Sequence, residues 1–110
     1  MHPVMNNTKW DELRLAMYHL AGSSPRWRIR DVESGYESPW DREWFYHFRQ
    51  GGYDTIEWVE IAADDPEQLS AIQTALANIR VPGNRTDLGF KVYGYISAGT
   101  TVDYVPPVSL

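Results

Sequence analysis

The chain has no cysteine, which excludes a disulfide framework, thiolate zinc ligands and thiol nucleophiles and leaves the core to packing alone. Long apolar runs are missing too: no stretch approaches the roughly 18 residues that a membrane helix needs. The opening residues, Met1-His2-Pro3-Val4-Met5-Asn6-Asn7, have no basic segment leading into an apolar run, so no secretory signal is read there. A cytoplasmic location is the expectation, and the sequons at Asn6 and Asn84 then carry no glycan. Histidine is scarce, with three residues. His2, His19 and His47 fall at no ligand spacing, and no Gly-x-Ser-x-Gly elbow, phosphate-cradling glycine loop or His-Glu-x-x-His motif occurs. Neither a metal nor a cofactor is expected on these grounds.

What is present describes one folded domain over residues 1–110, with residues 1–7 and 106–110 as flexible ends. In 110 residues, 43% are apolar, 23% charged and 14% aromatic, far from the composition of disorder. A chain of this length builds one core and no second lobe.

Trp10, Leu13, Met17 and Leu20 recur at i, i+3, i+7 and i+10 after Thr8, which predicts a helix over residues 9–21 ending at Gly22-Ser23-Ser24-Pro25. Arg26-Trp27-Arg28-Ile29-Arg30 alternates as a half-buried strand does. The segments 43–49 and 54–61 are aromatic and β-branched and flank Gly51-Gly52, which predicts a hairpin. Its register pairs Arg49 with Asp54, His47 with Ile56, Phe45 with Trp58 and Trp44 with Val59. Trp44, Tyr46, Phe48, Val59 and Ile61 then form a core face. Phe45, His47, Arg49, Asp54, Ile56, Trp58 and Glu60 form a mixed face. Asp64-Asp65-Pro66 starts a second helix along Leu69, Ile72, Leu76 and Ile79, running to about Arg80. Residues 90–96 read as a strand in which Gly94 marks a bulge or close aromatic packing. Residues 101–105 are a further edge. The expected fold is α+β, a two-layer sandwich of order α-β-β-β-α-β, with two helices on one face of a mainly antiparallel sheet of four or five strands.

Charge is unevenly spread. Residues 31–67 carry eleven acidic and two basic side chains, for −9, within a chain of net −5. Glu33, Glu37, Asp41 and Glu43 surround Tyr36 and Trp40 in the loop after the first strand. Aromatic anchors ringed by carboxylates suit a basic protein partner and repel nucleic acid phosphates. The expected partner-binding residues are therefore Glu33, Tyr36, Glu37, Trp40, Asp41 and Glu43, in a non-enzymatic domain that binds neither nucleic acid nor membrane. The Arg26, Arg28, Arg30 stripe is expected to pair with Asp41, Glu43, Glu57 or Glu60 across strands.

His47 is the one weak catalytic candidate, with Asp54, Glu60 and Arg49 beside it in the hairpin register. A small ligand-binding or catalytic domain centred on His47 is one alternative. Another is a homodimer in which Phe45, Ile56, Trp58, Tyr93 and Tyr95 are covered by a second copy.

The runs Trp27-Arg28, Asp31-x-Glu33-Ser34-Gly35-Tyr36, Trp40-Asp41-x-Glu43-Trp44-Phe45-Tyr46-His47-Phe48-Arg49 and Ile56-Glu57-Trp58-Val59-Glu60-Ile61 resemble a family of small bacterial proteins of unknown function. So do Phe90-x-Val92-Tyr93-Gly94-Tyr95 and Val102-Asp103-Tyr104, and the resemblance extends from Asn6 to Tyr104. It implies a bacterial, cytoplasmic protein and transfers no catalytic residue. In size, acidity, aromatic richness and lack of cysteine the chain is also similar to the immunity proteins that neutralise bacterial toxins. That likeness implies an inhibitor docked on the basic active-site cleft of its target.

Overall fold

The computed structural model describes residues 1–109; Leu110, the last residue of the expected flexible tail, lies outside the described residues. Eight elements follow in the order β1 (His2–Pro3), α1 (Asn7–Tyr18), β2 (Arg26–Asp31), β3 (Ile56–Ala62), α2 (Pro66–Ile79), β4 (Gly83–Arg85), β5 (Gly89–Tyr93) and β6 (Tyr95–Ile96). The fold is α+β, with a four-stranded antiparallel sheet of order β2-β3-β5-β4 and a separate β1-β6 pair.

Both helices start where a side chain satisfies a free amide. In α1 the cap is Asn6 rather than Thr8: Asn6 Oδ1 accepts the Lys9 N–H at 2.8 Å. In α2 Asp65 accepts the Gln68 N–H at 2.8 Å, Pro66 fills the first turn, and Arg80 closes the helix in the left-handed region at φ 56°. Trp10, Leu13 and Met17 of α1 and Ile72 and Leu76 of α2 meet Trp27, Val59, Ile61, Phe90 and Val92 of the sheet in one core.

The register explains the two faces of the sheet. Trp27, Ile61 and Phe90 stand in one cross-strand row and Ile29, Val59 and Val92 in the next, all on the helix side. The alternate residues form the rows Arg28-Glu60-Lys91 and Arg30-Trp58-Tyr93 on the face without helices. There Arg28 Nη2 lies 2.9 Å from the buried Glu60 carboxylate. Arg30 reaches Glu37 at 3.0 Å and Glu57 at 3.3 Å. Lys91 Nζ sits 4.1 Å from the centre of the Trp58 ring. The arginine stripe thus pairs with Glu57 and Glu60 as expected, and with Glu37 in place of Asp41 and Glu43.

The expected hairpin does not form. Residues 44–51 are a run of turns, and the neighbour of β3 on that side is β2. The cause is local. Glu43 carboxylate oxygens accept the N–H groups of Phe45, Tyr46 and His47 at 3.2, 2.7 and 2.8 Å, the donors that a strand at this position would need for its ladder. Trp44 and Phe48 are buried as expected, but Tyr46 is 64% exposed, while Ile56, Trp58 and Glu60 of the anticipated mixed face are buried.

Both sheet edges are covered by irregular chain. Trp27 and Asp41 exchange both backbone hydrogen bonds, and the Ser38 N–H donates to the Ile29 carbonyl. Along β4, Gly83 donates to Asp103 and Val105 donates to Val81; of the expected edge at 101–105 only an isolated bridge between Pro82 and Tyr104 forms, not a strand. Between the second helix and the strand expected at 90–96, where no strand is predicted, lies β4. The expected strand 90–96 breaks at Gly94, where a Cβ would lie 2.1 Å from the Ile56 oxygen and 2.9 Å from Trp10 Cζ2. Close packing is what this glycine permits. Gly94→Ala is expected to lower stability by about 1–3 kcal/mol through overpacking, read as a lower urea midpoint at unchanged slope, whereas Gly51→Ala, with nothing within 4 Å, stays near wild type.

Candidate functional site

The segment 31–43 leaves β2, turns and runs back along its free edge, which fixes the predicted partner-binding residues to a rigid scaffold. The turn is held by Asp31, whose Oδ1 accepts the N–H groups of Glu33 and Ser34 at 2.9 Å each. Those bonds, that of Ser34 foremost, hold its carboxyl below the usual aspartate range with help from the Thr55 hydroxyl. Tyr36 projects from the turn with 60% of its surface exposed, and Glu33 is exposed beside it.

The other four predicted residues are engaged within the chain. Glu37 bridges Arg28 and Arg30 at 3.8 and 3.0 Å. Trp40 is half-buried under two guanidinium groups, with Arg28 4.9 Å and Arg26 5.4 Å from its ring centre. Asp41 Oδ1 accepts the Glu43 N–H at 2.8 Å, and its Oδ2 lies 2.9 Å from His47 Nδ1. Burial pushes the Asp41 carboxyl up, but the Glu43 N–H and the His47 imidazole together outweigh it, so it stays below the usual range. Glu43 is held low by the N–H groups of His47, Tyr46 and Phe45, that of His47 contributing most. The loop therefore presents Tyr36 and Glu33 freely and Glu37 and Trp40 in part. Asp41 and Glu43 build the frame.

His47 does not have the neighbours expected of it. Its partner is Asp41, not Asp54, and Glu60 lies in the Arg28 pair. The imidazole does line a cavity of about 460 Å³ between β2 and the turns at 44–55. Buried Trp27, Phe48 and Ile56 and half-buried Ile29 give it apolar walls, and Asp31, Gln50 and Thr55 give it polar ones. Sequence reasoning missed this cavity because it assigned 43–49 to a strand. The available signal was Asp41-x-Glu43, two acceptors placed ahead of the amides they cap.

Of the five residues assigned to a dimer face, Ile56 and Trp58 are buried within the chain, and Phe45 packs between Tyr18 and Arg14 at 5.2 and 5.0 Å. Among the described residues no group of three or more His, Cys, Asp or Glu side chains could hold a metal ion, and no helix is long and apolar enough to cross a membrane.

Residues 1–99 match the model of a family of unknown function, DUF6678. No curated protein and no solved structure matches the chain.

The carboxyls of Asp31, Asp41, Glu43 and Asp64 are all lowered, the last by its pair with Arg42. A carboxyl with a lower pKa folded than unfolded adds stability that is present above its unfolded value and lost as pH falls through the folded one. The urea midpoint is expected to be level down to about pH 5 and to drop below about pH 4. Asp41→Asn is expected to start lower and to fall less steeply, because its contribution is already gone at neutral pH.

Proposed function

We propose that this chain, which belongs to the DUF6678 family of unknown function, is a non-enzymatic protein-binding domain, an immunity-type inhibitor acting in the cytoplasm on a basic partner. The observation that carries the reading is the exposed Tyr36 ring on a backbone-braced turn, with Glu33 free beside it and Glu37 along the same edge. An aromatic anchor on a rigid element loses little conformational freedom on binding, and flanking carboxylates speed encounter with a basic surface. The acidic excess of residues 31–67 supplies the steering field.

A second reading, a small-ligand site at His47, is favoured by one observation: the imidazole borders a cavity rather than a flat surface. The Asp41 carboxylate orients the ring as acid–base histidines are oriented. The polar side chains around it, Asp31, Gln50 and Thr55, are hydrogen-bonding groups suited to holding a small ligand, so binding is the role read for that cavity.

The test is affinity capture from a bacterial lysate at low and high salt, with wild type, Glu33→Lys/Tyr36→Ala and Trp40→Ala. The expected result is one basic protein whose capture weakens with salt, is abolished by the double variant and is reduced by Trp40→Ala. The Trp40→Ala domain should remain folded, losing about 0.5–2 kcal/mol with its cation–π contacts. Capture that is indifferent to the double variant, or recovery of the chain alone, would overturn the reading.

A further inference from the structure

The cavity beside His47 has an unusual balance of hydrogen-bonding groups. None of the residues lining it is Lys or Arg, and acceptors predominate. Asp41 is an ionised carboxylate and so accepts only, which requires the proton of its 2.9 Å contact to sit on His47 Nδ1. In the neutral ring the other nitrogen, Nε2, is then an acceptor. Asp31 lines the same cavity, and its Oδ1 receives the N–H groups of Glu33 and Ser34, which leaves further acceptor sites on the carboxylate. The Gln50 side chain, exposed at the rim, makes no hydrogen bond among the described residues. Below these groups lie the Trp27 and Phe48 rings, which stand edge to face at 5.2 Å, together with Ile29 and Ile56.

A polar rim with no lysine or arginine over an aromatic floor selects a ligand that brings hydrogen-bond donors and positive charge on an apolar stem. We propose that this cavity receives a lysine or arginine side chain of the partner protein, its alkyl stem on Phe48 and Trp27 and its N–H groups at His47 Nε2, Asp31 and Gln50. The inference rests on the reading of the chain as a binder of a basic protein and locates where one basic side chain is read. The turn that carries Tyr36 begins at Asp31, on the rim of this cavity, so one partner surface can meet the anchor and the cavity together.

The test is an NMR titration of the full chain with Nα-acetyl-lysine methylamide, Nα-acetyl-arginine methylamide, the neutral isostere Nα-acetyl-norleucine methylamide, butylamine and acetate, following the Trp27 indole and His47 ring signals. The cationic amides are expected to saturate, with norleucine at least tenfold weaker and acetate silent. Gln50→Lys, a change at an exposed position, is expected to weaken the cationic amides at least tenfold while leaving signals remote from the cavity in place, and Gln50→Glu is expected to strengthen them. Equal binding of norleucine and lysine amides, binding of acetate, or indifference to Gln50→Lys would each overturn the proposal. Butylamine, which has the stem and ammonium of the lysine side chain and no peptide groups, is expected to bind as the lysine amide does, and its failure to bind would overturn the proposal. If no cation binds while Glu33→Lys/Tyr36→Ala still abolishes capture, this inference falls and the protein-binding reading stands.

Discussion

The Glu43 carboxylate is the constraint on which the candidate site depends. By accepting three successive N–H groups it turns the backbone out of an extended path. Trp44 and Phe48 then fold inward onto Trp27, at ring separations of 5.8 and 5.2 Å. The same turn brings His47 to Asp41 and leaves the cavity between the turns and β2. Trp44 Nε1 donates to the Pro25 carbonyl and Trp27 Nε1 to the Glu43 carbonyl, so both indoles are satisfied as buried donors must be.

The face of the sheet without helices is closed by charge instead of by a second layer. Arg26, Arg28 and Arg30 meet Asp64, Glu37, Glu57 and Glu60, while Trp40 and Trp58 lie under guanidinium and ammonium groups. Pairs of this kind, partly exposed, contribute little stability each. Their effect on function is larger, because they consume the arginine stripe that would otherwise suit phosphate. The carboxylates with no cationic partner among the described residues, Glu33 among them, then set the sign of the surface at the β2 edge.

Both helices, β2, most of β3 and the packing role of Gly94 were legible because each follows a single period or a single steric demand. The hairpin misled because Trp44, Tyr46 and Phe48 alternate as a strand does, and alternation does not reveal that Glu43 takes the backbone donors first. Short pairings such as β1 with β6 and β4 with β5 carry too few side chains to leave a pattern. For the site, Tyr36 and Glu33 could be read directly, since a turn sequence with an aromatic at its tip exposes it. By sequence Asp41 and Glu43 face a partner or the arginine stripe, whereas Asp41 holds the Glu43 amide and Glu43 holds three backbone amides, which no composition displays. The Asp41–His47 contact joins residues six apart through a turn that had to be known first.

The most direct test of this account is the titration of the Glu43 side-chain carboxyl by NMR, followed together with the amide protons of Phe45, Tyr46 and His47. A Glu43 pKa below the ordinary 4.5, with all three amide shifts moving along the same titration curve, is the predicted result. A Glu43 that titrates at its ordinary value, with the Tyr46 and His47 amides insensitive to it, would contradict the capped turn and the cavity built on it.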